Sequence, residues 1–231
     1  VIKRFFPEGL TTMKFEIPYF GINLGIDSEA ISGLSSEALR QAKVFPPDWK
    51  IVRKEVGPRL LQGFTFENGV AFFANEDYLS FAEIPLKDSP ATSQLPNIVR
   101  AYVNSVSHLT YESITIEMKG HFEITEEDDL LILRSLRNTL WTRLGDLSSA
   151  EMQLVYEFED CLCELSIMKR EFYEGESSIN VITFFAEFEH PVEAGSSEEQ
   201  RHSIDVVLRS VGTDLERYRK MADLVIGKEV L

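Results

Sequence analysis

The order of secondary structure constrains this chain more than any motif in it. An alternating strand, a helix, a run of strands and a second helix are read from about Phe15 to Ser107, and the same order returns from about Tyr111 to Lys220. A repeated order of that kind points to an α+β fold of two pseudo-repeats, each strand, helix, antiparallel meander, helix, with the helices packed on a curved antiparallel sheet. The halves are expected at 1–108 and 109–231, either as two units or as one continuous domain. Function is then sought along the pseudo-symmetric sheet or at the junction of the halves.

In the first half, Phe20, Ile22, Leu24 and Ile26 alternate with Gly21, Asn23, Gly25 and Asp27, the pattern of a half-buried strand. Asp27 or Ser28 caps a helix to about Ala42, with Ile31, Leu34, Ala38 and Leu39 on one stripe, and Pro46-Pro47 ends it. Strands follow at 49–52, 60–66, 70–74 and 78–84. Asn68-Gly69 predicts a type I′ hairpin, because both residues tolerate positive φ. Residues 85–96 read as a loop, and Ile98, Val99, Tyr102, Val103 and Val106 as a helical stripe.

The second half opens with Ile114, Ile116, Met118, Phe122 and Ile124 against Thr115, Glu117, Lys119, His121 and Glu123. Thr125-Glu126-Glu127-Asp128 has the form of a capping-box variant before the stripe Leu130, Leu131, Leu133, Leu136, Leu140 and Trp141. Strands are read at 152–158, 161–169 and 179–188. The last is apolar on both faces, with Val181 and Phe185 on one and Ile182, Phe184 and Phe188 on the other. Such a strand is covered on both sides, by the other half, a loop, a ligand or a second subunit. Residues 193–200 read as a polar loop, and a long amphipathic helix runs from Ser203 to about Ile226.

This element order resembles the duplicated topology of the TATA-binding-protein-like (helix-grip) folds. The resemblance implies a curved antiparallel sheet gripping a long helix. A DNA-binding saddle also needs basic and wedge residues on the sheet, and the face here carries Thr115, Glu117, Lys119, His121 and Glu123. DNA binding is therefore not carried over. The chain also looks like an uncharacterised bacterial family of similar length, in the Phe64-Thr65-Phe66-Glu67-Asn68-Gly69 hairpin, the strand at 111–124 and the acidic helix start. That likeness implies no catalytic residues.

Of 231 residues, 44% are apolar and 16 are Phe, enough for a sizeable core. The net charge of −15 repels phosphate backbones and anionic lipid, so no nucleic-acid or membrane partner is expected and a basic protein partner is favoured. No apolar window is long enough to span a bilayer, and the first residues lack a signal peptide's apolar core, so a soluble cytoplasmic protein is expected. Cys161 and Cys163 would lie on one strand face about 7 Å apart. That suits neither a relaxed disulfide nor a CxxC motif, and two buried reduced thiols are expected.

No phosphate loop, dinucleotide fingerprint or nucleophile elbow is present. His108, His121, His190 and His202 are dispersed. His190 and His202 flank one loop near Glu189 and Glu193, short of the three or four fixed ligands a metal needs. No catalytic residue, metal or cofactor is nominated. Lys50, Arg53, Lys54 and Arg59 beside Trp49 read as a solvated edge strand, and Arg201, Arg209, Arg217, Arg219 and Lys220 as the outer face of the last helix. Two residue sets follow for function. Glu157, Glu187, Phe184, Phe188 and Tyr218 are candidates for lining a ligand pocket. Phe64, Phe66, Phe72, Phe73, Val181 and Phe185 are candidates for an interaction surface. The expected function is a non-enzymatic interaction or scaffold module that self-associates as a homodimer or binds a protein partner. The alternative is a helix-grip protein that holds a small apolar ligand between the sheet and the last helix.

Overall fold

A computed structural model of the chain describes residues 15–26, 35–57, 60–86, 89–106, 109–123, 151–174 and 177–226. The helix and capping box expected at 125–141, and the first turns of the helix expected from Asp27, lie outside the described residues.

The first part of the chain forms β1 (Glu16–Ile26), α1 (Ser36–Gln41), β2 (Ile51–Gly57), β3 (Leu60–Phe66), β4 (Val70–Ala74), β5 (Tyr78–Glu83) and α2 (Leu95–Ser105). The second part forms β6 (Tyr111–Glu123), β7 (Glu151–Glu157), β8 (Leu162–Glu174), β9 (Ser177–Pro191) and α3 (Ser197–Ile226). Among the described residues, nine strands join one open antiparallel sheet in the order β2-β3-β4-β5-β1-β6-β9-β8-β7. The expected α+β class holds. The basic strand β2 lies at one edge of the sheet, as its Lys and Arg residues suggested.

One face of the sheet is apolar because every second residue is. Phe20, Ile22 and Leu24 of β1, Ile114, Ile116 and Met118 of β6, and Phe184, Ala186 and Phe188 of β9 have no exposed surface. Helix α2 packs on β1 and β5, α3 packs on β6 and β9, and the two helices touch side by side. Phe45, just after α1, stands among Trp49, Phe64, Phe66 and Phe72, with ring centroids 4.9–6.3 Å apart. Burying each of these side chains contributes about 1.5–3 kcal/mol.

Two details differ from the expectation, each for a local reason. The β3–β4 hairpin forms, but its turn is not type I′. Gly69 donates its backbone N–H to the Phe66 carbonyl at 3.0 Å, and Gly69 has φ 90° while Asn68 does not take positive φ. Asn68 instead accepts the Val70 N–H through Oδ1. Helix α3 begins at Ser197, inside the segment expected as a polar loop. Ser196 Oγ accepts the Glu199 N–H, and Glu199 accepts the Ser196 N–H at 2.7 Å, so Ser196-Ser197-Glu198-Glu199 is a capping box.

Candidate functional site

Two clusters of chemistry-bearing residues emerge, one on each face of the sheet. The first lies on the face away from α2 and α3. Strand register places Gly21 of β1 opposite Glu117 of β6, Glu117 opposite Glu187 of β9, and Glu187 opposite Glu164 of β8. Three carboxylates thus form one row across three neighbouring strands. Glu189 belongs to the next row on the same face, opposite Thr115 and Leu162. None of the three carboxylates in the row makes an ion pair among the described residues.

The row is held by short polar side chains around a glycine. Glu117 accepts hydrogen bonds from Tyr19 Oη and Asn23 Nδ2. The Tyr19 phenol and the Glu117 carboxylate lie over Gly21, where an added Cβ would sit 2.6 Å from the Tyr19 hydroxyl and 3.0 Å from Glu117 Oε2. Asn23 Oδ1 is buried and has no partner. Burial raises the Glu187 carboxyl above the usual carboxylate range, and Glu117, Glu164 and Glu189 push it further in the same direction. Burial and then Glu117 raise the Tyr19 phenol, which keeps it a donor.

The second cluster lies under α3. His190, at the end of β9, and Asp214 of α3 are 2% and 0% exposed. His190 Nε2 lies 3.0 Å from Asp214 Oδ2. Arg217, one turn further along α3, donates to Asp214 Oδ1 at 3.1 Å and to both oxygens of Asp160 at 2.7 and 3.1 Å. Its Nη1 also lies 3.4 Å from Cys161 Sγ, and its guanidinium stacks 4.4 Å over the Phe158 ring. The hydrogen bond from Arg217 is the first cause that holds the Asp160 carboxyl below its ordinary value. Burial pushes the Cys161 and Cys163 thiols up to about 12, and both are free.

The sheet therefore separates residues that the sequence grouped together. Phe184, Phe188 and Tyr218 are fully buried beneath α3, where the Tyr218 hydroxyl donates to the Phe184 carbonyl at 3.0 Å. Phe15 fills the space beside them, 5.8 Å from Phe184 and 5.5 Å from Tyr218 between ring centroids. Glu187 and Glu157 lie on the opposite face, separated by β8. Among the interaction candidates, Phe64, Phe66 and Phe72 sit in the aromatic core. Val181 is buried on the face away from the helices, where Phe73 and Phe185 are half-buried.

Sequence reasoning placed Arg217 on the outer face of the last helix, and it turns inward instead. It also paired His190 with its loop neighbours, whereas His190 meets Asp214 of α3. The available signal was Asp214 itself, a charge inside the stripe Ile204, Val207, Leu208, Val211, Leu215 and Tyr218. A buried carboxylate at such a position needs partners. Between α2 and α3 a groove of about 420 Å³ is lined by Arg100, Arg201, Asp205 and Arg209 among others. Asp205 pairs with both Arg100 and Arg209 there.

No protein-family model, no curated protein and no solved structure matches the chain. Among the described residues, no helix is long and apolar enough to cross a membrane.

Proposed function

We propose that the protein is a non-enzymatic interaction module that docks a basic protein segment on the carboxylate row of its sheet. One observation carries this reading: Glu117, Glu187 and Glu164 face one another in register, and none of them makes an ion pair among the described residues. Like charges directly opposite across strands destabilise a sheet. The hydrogen bonds that Glu117 and Glu164 accept leave that repulsion uncompensated by any positive charge, and the row suits a partner that brings one. Half-buried Phe185 and Phe73 on the same face supply apolar contact. The net charge of −15 steers a basic partner toward the protein.

The finer fold reading belongs with this proposal. β1 pairs with β5, the last strand of its own meander, and β6 pairs with β9 in the same way. β1 and β6 pair with each other at the centre. Those pairings support two pseudo-repeats and the likeness to TATA-binding-protein-like folds, with the DNA-reading saddle replaced by an acidic face. Two buried free thiols fit a reducing, cytoplasmic setting. The alternative of an apolar ligand beneath α3 draws no support from the packing of Phe184, Phe188 and Tyr218.

The test is a titration of a labelled arginine-rich peptide, followed by fluorescence anisotropy at low and high salt. Binding that weakens with salt and is lost in the E117Q/E164Q/E187Q variant is expected. Equal binding by the variant, or none by the wild type, overturns the proposal. A homodimer formed through this face, with the peptide excluded, would replace the basic partner with a second copy.

A further inference from the structure

The cluster beneath α3 gathers metal-ligating side chains at the rim of the sheet, two buried and one open to solvent. Asp160, Cys161 and His190 each bring a ligand atom to within 4.8 Å of the others, the only such set among the described residues. Carboxylate oxygen, thiol sulfur and imidazole nitrogen form the mixed donor set that Zn²⁺ and similar borderline ions take. We propose that these three residues form a binding site for a divalent transition-metal ion of the Zn²⁺ class.

Three features of the surroundings support the assignment. The first is how the donors are held. Antiparallel register places Leu162 opposite Glu189, so Cys161 and His190 are cross-strand neighbours at the end of the β8–β9 pair. Asp160 adjoins Cys161 in the β7–β8 turn, which is closed by the Phe158 N–H to Cys161 carbonyl bond at 2.9 Å. The strand ends therefore converge the donors without any help from side-chain length. The second is the carboxylate beside the imidazole. Asp214 lies 3.0 Å from His190 Nε2, which leaves Nδ1 as the nitrogen the proposal assigns to the metal, and a carboxylate on the other ring nitrogen is the usual outer support of a metal-binding His. The third is charge. Arg217 alone faces two carboxylates, Asp160 and Asp214, so the cluster holds one more negative than positive charge when the imidazole is neutral.

Arg217 occupies the cation's place. Its Nη1 reaches Asp160, Asp214 and Cys161 together. An ion entering from the solvent side of Asp160, whose side chain is 45% exposed, displaces the guanidinium outward along the Phe158 ring. The Cys161 thiol gives up its proton on ligation, and that proton leaves to solvent. Cys163 is fully buried two residues further along, outside the set, and serves as the internal control.

The probe is Co²⁺, titrated into the chelator-treated 231-residue protein and followed by its absorption. One equivalent should bind with a thiolate-to-metal charge-transfer band and the visible bands of a low-coordinate site. Cys161→Ser should abolish the charge-transfer band and weaken binding at least about tenfold, while Cys163→Ser keeps both. Zn²⁺ added afterwards should displace the Co²⁺ and erase the spectrum. Wild-type protein that shows no charge-transfer band overturns the proposal, and no folding defect enters that result. A band lost in Cys163→Ser but kept in Cys161→Ser overturns it as well.

Discussion

Glu187 shows how one residue can be set against the fold that carries it. Its carboxyl is raised by burial and then by Glu117, Glu164 and Glu189, so the fold favours the neutral form. The stabilising contribution is therefore complete below the ordinary Glu value and is lost as the pH climbs through the raised one. Glu187→Gln should leave stability near about pH 4 almost unchanged and raise it at about pH 7 by roughly 0.2–1 kcal/mol, the scale of a like-charge contact across strands, read from urea unfolding at the two values. Gly69 shows the opposite case, a residue the backbone requires. It has φ 90°, and an added Cβ would sit 2.6 Å from the Ile84 carbonyl oxygen. Gly69→Ala should cost about 2 kcal/mol in the same assay, from the positive φ and the backbone clash together. The Asn-Gly pair made the hairpin legible in the sequence. The turn geometry was not, because the extra residue Glu67 joins the loop and shifts the positive φ onto Gly69 alone.

At the scale of elements, α3 is the best test of how its polar contacts hold it. Its apolar stripe was legible from Ile204 onward by spacing alone. Its first turn was not, because Ser196 to Gln200 carries no apolar residue to extend the stripe and is held by the capping box of Ser196 and Glu199 alone. The inward turn of Arg217 was also hidden, since its partners Asp160 and Cys161 are 57 and 56 residues away in the chain. Arg217 joins α3 to the β7–β8 turn through Asp160, Asp214 and the Phe158 ring. Arg217→Ala should destabilise by roughly 2–3 kcal/mol, less than the ~3–5 of a fully buried pair because Asp160 stays open to water. Amide exchange should speed up at the β7–β8 turn and the C-terminal half of α3, with α1 and the β3–β4 hairpin unaffected. Uniform acceleration across the sheet would mean that Arg217 does not act as a local tie.

Across the whole molecule, alternation along each strand is enough to sort one sheet into an apolar face and a polar face. That is why the α+β class was legible from Phe20, Ile22 and Leu24 or from Ile114, Ile116 and Met118. The sites were less legible because they depend on register between distant strands. Glu117, Glu187 and Glu164 are ordinary polar positions in three separate strands, and only the pairing of β6, β9 and β8 makes them a row. Likewise Phe64, Phe66 and Phe72 look like a surface-seeking hairpin until Phe45 and Tyr102 close over them. What remains after the core is accounted for is a polar face whose one row, Glu117, Glu187 and Glu164, sets like charges opposite one another.

The most direct measurement is the unfolding free energy of E117Q/E164Q/E187Q against the wild type, in urea at neutral pH and low salt. If the row is kept for a basic partner at the fold's expense, the variant gains about 1–2 kcal/mol, and added salt narrows the difference by screening the wild type's repulsion. A variant less stable than the wild type would mean that the carboxylates hold the sheet together, and the docking reading would fall with that result.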